Sequence, residues 1–472
     1  MEELKARFSA QKAAFVGRNA RTYGERIDAL ESLLGAVLRF EDKLVDSLNQ
    51  DYGNRASQET RLMEIFPVAD EIRHSMRHLK AWMKPERVST NWQFTPSRAY
   101  IMKQPLGVVG IMGAWNYQIL LTLSPLVNVL AAGNHALIKP ASAAPATAEV
   151  LVELIASAFP ADYVSVVTGG AEIGSAFSGL PFDHIIFTGS GRVGRIVMRE
   201  AAANLTPVTL ELGGKSPALV HDSYPIAKAA DRICAAKFLN AGQTCVAPDY
   251  ALVPEAALSA FLDAATEVVR RRLPSPSSNG DYTHMINAAG WERMQSLVED
   301  ARAKGAKVVQ VHAEGERFEA AHRAYPPTLV ANVREDMRIM QEEIFGPILP
   351  IVGHRSLDEA IRFVNERDRP LAFYYFDDDS RRVRNVLERT TAGGATVNDC
   401  IFHLPQNNLP FGGVGPSGMG AYHGAEGFNT FSNRKGVMVM NRVVGWFLAT
   451  FLKPPYNKWS DRVIGFLIWR RK

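Results

Sequence analysis

Glu211 and Cys245 are the residues of this sequence whose types and setting point most directly to chemistry. Glu211 closes the apolar run Val208-Thr-Leu-Glu211 just before a glycine pair, and Cys245 lies in Asn240-Ala-Gly-Gln-Thr-Cys245-Val-Ala-Pro248. They stand 34 positions apart, each in a segment that reads as a turn. A thiol attacks as its thiolate, and hydrolysis of an acyl group held on it needs a base, so the pair fits covalent catalysis in two stages. Burial tendencies alone favour a plainer account, a surface carboxylate and an inert buried thiol. The other two cysteines, Cys234 and Cys400, add no metal-ligand spacing and no even disulfide framework, which points to a reducing compartment and away from structural zinc.

A second constellation is Phe187-Thr-Gly189-Ser190-Gly191-Arg-Val-Gly194, in which Gly189, Gly191 and Gly194 match GxGxxG between a strand and a helix. Glycines there let backbone amides and a helix start approach a pyrophosphate, although a structural glycine turn reads the same way. That fingerprint expects an acidic ribose ligand about 20 residues on, which falls near Glu211. Gly213-Gly-Lys-Ser216 lacks the leading glycine of a phosphate-cradling Walker loop.

Leu210-Glu-Leu-Gly-Gly-Lys-Ser-Pro217 and Gly242-Gln-Thr-Cys245 resemble the general-base and nucleophile signatures of the aldehyde dehydrogenase superfamily. The run from Leu409 to Gly424 resembles its class 3 and coniferyl-aldehyde branch, and the resemblance extends from about Gln11 to about Val439. It implies an α/β, aldehyde dehydrogenase-like fold with a Rossmann-type cofactor domain, an α/β catalytic domain and a small oligomerisation sheet. It further implies Cys245 as nucleophile, Glu211 as base for water rather than ribose ligand, and Asn116 as oxyanion donor beside the Cys245 N–H. NAD or NADP would contact Lys139, Ser142, Gly189, Ser190, Gly194, Leu212, Glu343 and Phe345, without a metal. Trp115, Tyr117, Leu121, Phe402 and His403 would line a tunnel for an apolar aldehyde, aromatic or medium to long aliphatic, although core packing explains most of them equally well.

Glu211 implies release of a free acid, against an acyl-CoA-forming relative that lacks this base. The retained set Asn116, Lys139, Glu211, Cys245 and Glu343 argues against a catalytically silent protein on the same fold. Two positions depart from the family pattern. Ser142 stands where a ribose-binding glutamate is common, so NADP is expected to be tolerated. Gln118 replaces a proline two residues after Asn116.

The elements that must position these residues follow from periodicity. Residues 4 to 50 read as two helices and Glu59 to Met83 as one more; Val88 to Tyr100 has strand character. From Pro105 apolar strands alternate with helices, at Gly107–Met112, Ile119–Ala132, Ala136–Lys139, Thr147–Phe159, Val164–Val167 and His184–Phe187. The alternation resumes beyond Leu212, which argues for parallel sheets in two α/β domains. The expected division is 1–86 with 106–212 for the cofactor, 213–415 for catalysis, 87–105 with 425–441 for a homodimer contact, and 442–472 as a tail.

Length and composition agree with such a chain: 472 residues exceed one ordinary core, and 47% hydrophobic with 22% charged residues suits a globular protein. The net charge of +4 is uneven, because the tail from Arg442 carries seven basic residues against Asp461 alone. A near-neutral body offers no nucleic-acid footprint. Val443–Leu452 and the segment from Arg462, with its basic end at residues 470–472, are too short to span a bilayer. With Trp446, Trp459 and Trp469 they fit either a membrane surface or a partner subunit. The charged start Met1-Glu-Glu-Leu-Lys has no apolar signal region, so the expected location is cytoplasmic, with membrane-peripheral contact through the tail as the alternative.

Overall fold

The strand and helix alternation between Pro105 and Leu212 builds a six-stranded sheet in the computed structural model, which describes residues 1–18 and 20–469. Its order is Gly418–Met419, Val208–Glu211, His184–Thr188, Val108–Met112, His135–Lys139, Val164–Val166, parallel throughout except for the first. Val108–Met112, His135–Lys139 and His184–Thr188 are buried at every position, as expected of strands covered on both faces. Leu4, Phe8, Phe177 and Val197 pack with Val108, Leu137 and Ile185 on one side. Leu120, Leu123 and Val127 share the other core with Val109, Ile111 and Ile138.

The chain runs from the central Val108–Met112 outward in one direction and then returns to its other side with His184–Thr188. A crevice therefore opens at the carboxyl ends of these two neighbours, where open parallel sheets commonly receive ligands. Val208–Glu211 pairs with His184–Thr188 so that Thr188 faces Glu211, which sets that carboxylate at the same end of the sheet.

Residues 212–216 cross to a seven-stranded sheet of order Lys307–Gln310, Thr328–Ala331, Ile348–His354, Tyr250–Pro254, Pro217–Val220, Ala372–Phe376, Gly394–Val397. Only its Lys307–Gln310 edge is antiparallel. Cys245 lies in the loop that leads into Tyr250–Pro254.

Several local expectations are corrected. The first 50 residues form three helices, Glu2–Val16, Tyr23–Arg39 and Glu41–Tyr52; the second break falls at Phe40, which leaves helical geometry at φ −96°, ψ 6°. Glu59–Met83 is not one α-helix. Ser57–Thr60 leads into a widened π turn, Arg61–Ile65, before Phe66–Trp82. Pro67 has no N–H to return to the Met63 carbonyl, and Phe66 N–H reaches back to Arg61 instead. The stretch from Val88 to Tyr100 is broken by a single turn at Trp92–Phe94, giving strands Glu86–Val88 and Arg98–Pro105. Ser432–Val439 pairs with Arg98–Pro105 to complete a small antiparallel sheet. The helix Ala171–Ser178 had no counterpart in the periodicity reading.

The tail folds as two helices, Arg442–Phe451 and Lys458–Trp469, capped by Asn441 and Asn457. Its basic end at residues 470–472 lies outside the described residues. Among the described residues no helix is long and apolar enough to cross a membrane.

Candidate active site

A cavity of about 760 Å³ opens at the carboxyl ends of the six-stranded sheet. Its wall joins segments far apart in sequence: Trp115 and Asn116 after one strand, Lys139 and Ser142 after the next, Gly189 and Ser190, then Glu211 and Leu212. From the second sheet come Cys245, Glu343 and Phe345. The parallel register explains the groups from the first sheet, since each strand releases its following loop at the same edge, whereas Cys245, Glu343 and Phe345 come from segments that lead into the strands Tyr250–Pro254 and Ile348–His354.

Cys245 keeps part of its surface open to this cavity and is otherwise enclosed. Burial pushes its thiol up to about 12, the charges of Glu343 and Glu211 add to the rise, and the N–H groups of Cys245 and Val246 oppose it. Glu211 is 2% exposed, and burial holds its carboxyl well above the ordinary range. Neither of its oxygens has a hydrogen-bond partner among the described residues. A buried carboxyl left without partners is costly unless something at the site uses it. Asn116 faces the thiol loop, with its amide donating to the Gln243 carbonyl at 3.1 Å. The arrangement offers a thiol, an amide donor and an acceptor for a proton around one space.

The opposite wall tests whether a dinucleotide fits. A Cβ on Gly213 would stand 2.0 Å from Glu343 Oε2, so only glycine leaves room for that carboxylate. Burial, and then the charge of Asp249, push Glu343 up to about 7, while the Gly214 N–H donates to it at 3.1 Å. Ser190 caps the helix Gly191–Ala202, and a Cβ on Gly194 would meet Leu212 at 2.7 Å, which is the close helix packing this glycine serves. Lys139 is buried and burial lowers its ammonium pKa; Ser142 beside it is exposed. The Glu343 carboxylate, Lys139 and the start of the helix Gly191–Ala202 offer the kinds of donor and acceptor that a dinucleotide needs.

An aldehyde dehydrogenase family model matches residues 1–437. The chain belongs to the aldehyde dehydrogenase family. It is 46% identical, over 98% of its length and 96% of the relative's, to a probable coniferyl aldehyde dehydrogenase of Pseudomonas aeruginosa. Among solved structures, the substrate-bound state of Staphylococcus aureus AldH superposes with a TM-score of 0.90 at 37% identity, covering 98% of this chain and 99% of that one. A Mycobacterium tuberculosis aldehyde dehydrogenase complexed with NAD+ gives 0.83 at 29% identity, covering 92% and 90%. This aldehyde dehydrogenase therefore has the Rossmann-type and catalytic α/β architecture that the motifs implied, and uses NAD or NADP.

The remaining tunnel residues expected of the dehydrogenase stand apart from this cavity, apart from Trp115, which packs edge-on against Phe345 at 5.4 Å. Tyr117 and Leu121 are buried, with the Tyr117 hydroxyl 2.8 Å from that of Thr244; His403 is buried against Thr396, and Phe402 is 56% exposed. Cys400 is wholly buried and does not reach the cavity. Gln118, the departure from proline, is fully buried and bridges two loops. It donates to the Ala144 carbonyl at 2.8 Å and accepts from the Ala141 N–H at 3.0 Å, tying the Asn116 loop to the Ser142 loop.

Sequence reading overlooked Arg293, whose guanidinium lines the cavity and donates to the Glu343 and Ile344 carbonyls at 2.5 Å each. It also overlooked Tyr52, Arg55, Glu64 and Asn240 beneath the Asn116 loop. The one available signal was Glu64, a carboxylate set between Met63 and Ile65 in an otherwise apolar stretch.

Proposed function

We propose that this dehydrogenase oxidises an apolar aldehyde, aromatic or medium to long aliphatic, to the free carboxylic acid through a thioester on Cys245 hydrolysed with Glu211 as base. The observation that carries this reading is Glu211 itself, buried on the wall it shares with Cys245 and holding two unpartnered oxygens.

The Cys245 sulfur, once deprotonated, adds to the carbonyl carbon and forms a C–S bond while the oxygen becomes an oxyanion. The amide of Asn116 and the N–H of Cys245 are the donors for that charge. Lys139, Ser190, Leu212 and Glu343 would hold NAD or NADP, which would supply the hydride-accepting chemistry. Glu211 then takes a proton from water as the water oxygen bonds to the thioester carbon; the C–S bond breaks and the thiolate is restored. Burial disfavours the Cys245 thiolate, and donors or positive charge close to sulfur oppose that effect.

The Ser142 and Lys139 pairing favours tolerance of NADP. For the assembly, we assign the small sheet of Arg98–Pro105 and Ser432–Val439 to a homodimer contact. The exposed tail residues Val443, Trp446, Trp459 and Trp469 are assigned to either the partner subunit or a membrane surface. Vesicle flotation of the full chain beside a truncation after Met440 separates the two, since only lipid binding makes them differ.

Purified protein offered hexanal, a long-chain aldehyde and a cinnamyl-type aldehyde, each with NAD and NADP, gives the direct test. Reduced nicotinamide without coenzyme A, abolished in Cys245→Ala, is the expected result. A requirement for coenzyme A would reject hydrolysis as the second half of the reaction.

A further inference from the structure

The Asn116 loop and the Cys245 loop meet over a buried polar cluster that none of the roles above uses. The main-chain carbonyl of Asn116 accepts from the Tyr52 hydroxyl at 2.8 Å, from Asn240 Nδ2 at 2.9 Å and, at the long end, from Arg55 Nη1 at 3.4 Å. Asn240 Nδ2 also donates to the Gln243 carbonyl at 3.1 Å, the same oxygen that receives the Asn116 amide. Asn240 thus reaches both loops with one amide group. It sits in left-handed backbone geometry, as does Ala241, with φ of 49° and 50°. Such geometry costs free energy in residues other than glycine and persists only where surroundings enforce it.

Beneath it lies a buried ion pair. Arg55 Nη1 donates to Asn240 Oδ1 at 3.2 Å, and Arg55 Nη2 lies 3.0 Å from Glu64, both side chains having no exposure. Glu64 in turn accepts from the Ile119 N–H at 2.7 Å and the Leu120 N–H at 3.3 Å, at the far end of the Asn116 loop. It is placed there by the π turn Arg61–Ile65, a widening that often marks functional positions. A hydrophobic pair would stabilise a helix junction at least as well as this desolvated ion pair. The ion pair offers instead directed bonds to both ends of one loop and, through Asn240, to the start of the other.

We propose that Arg55, Glu64, Tyr52 and Asn240 are positioning residues, a clamp that fixes the oxyanion donor Asn116 against the nucleophile Cys245. The proposal rests on the roles given to Asn116 and Cys245 above. None of the four lines the cavity, so their effect passes through the two loops they hold.

The test compares wild type with Tyr52→Phe, Asn240→Asp and the double variant Arg55→Met/Glu64→Gln, each measured for melting temperature, kcat, cofactor KM and the rate of Cys245 alkylation by iodoacetamide. Losing both charges together leaves neither partner of the pair alone, but it takes the Arg55 charge away from Glu59, a third buried carboxyl held by the Thr283 hydroxyl, so the double variant is expected to melt below wild type. Its kcat is expected to fall by about tenfold or more with cofactor KM within about twofold, as for weakened oxyanion stabilisation. Tyr52→Phe removes one hydroxyl and leaves the fold; a fall of a few-fold is expected there. Alkylation needs neither aldehyde nor cofactor and is expected to quicken several-fold as the clamped thiol becomes accessible. Wild-type kcat and alkylation rate in folded Tyr52→Phe and Asn240→Asp overturn the clamp, whether or not the double variant folds. Wild type that turns over no aldehyde rejects the proposed function instead, and the alkylation rates still decide the clamp.

Discussion

The side-chain amide of Asn116 donates to the carbonyl of Gln243 at 3.1 Å, two residues before Cys245. This bond ties the donor of one loop to the backbone that carries the thiol of the other. Asn116→Ala removes the donor without touching the cofactor wall. The expected result is a loss in kcat of about 10²–10³-fold with cofactor KM little changed. Steady-state kinetics with saturating aldehyde measures it, and a rise in cofactor KM without loss of kcat would contradict the assigned role.

Glu211 faces the cavity with a carboxyl that burial holds well above the ordinary range. Its basic form is the one that accepts a proton from water, so turnover limited by hydrolysis falls as pH drops below that raised pKa. Glu211→Gln keeps the volume and removes the base. A rapid burst of reduced nicotinamide, about one per site, followed by slow turnover is the expected trace. Steady turnover at the wild-type rate, with the wild-type pH profile, would assign the base elsewhere.

Glu211 and Lys139 close parallel strands and Asn116 follows one, so a single sheet edge carries these three to the cavity. Cys245 and Glu343 instead precede strands of the second sheet, and it was their motifs, through the family resemblance, that made them legible. The clamp was not legible. Tyr52 ends the helix Glu41–Tyr52, Arg55 lies in the loop after it, Glu64 falls in an apolar stretch that reads as core, and only the π turn before Pro67 turns Glu64 toward the Asn116 loop. The hydrogen bonds of Gln118 were equally hidden: the family resemblance marks a departure from proline, and only the folded chain shows the amide joining residues 141 and 144.

Ser142 is exposed at the cavity rim beside Lys139, where the commoner family residue is glutamate. If Ser142 meets the ribose as proposed, Ser142→Glu puts a carboxylate within reach of its hydroxyls and against a 2′-phosphate. The expected shift is a fall in kcat/KM for NADP of about tenfold or more, which corresponds to roughly 1.4 kcal/mol, with NAD unchanged or improved. Equal loss with both cofactors would show that this rim does not read the ribose.

Glu71 is 2% exposed in the helix Phe66–Trp82, where its carboxyl meets Asn128 Nδ2 at 2.7 Å and the Ser124 hydroxyl. Burial pushes it up to about 7, against the pull of Ser124, Asn128 and the Gly424 N–H, with the charge of Asp70 adding to the rise. The folded chain thus holds a proton that the unfolded chain releases near 4.5. Its contribution is complete below that value and is lost as pH rises through about 7. Glu71→Gln mimics the protonated group at every pH. It is expected to melt with wild type at pH 5 and above it at pH 8, by an amount bounded at roughly 3 kcal/mol. Melting curves at the two pH values measure it. A variant less stable than wild type at pH 8 would show that Ser124, Asn128 and Gly424 together hold the ionised carboxylate.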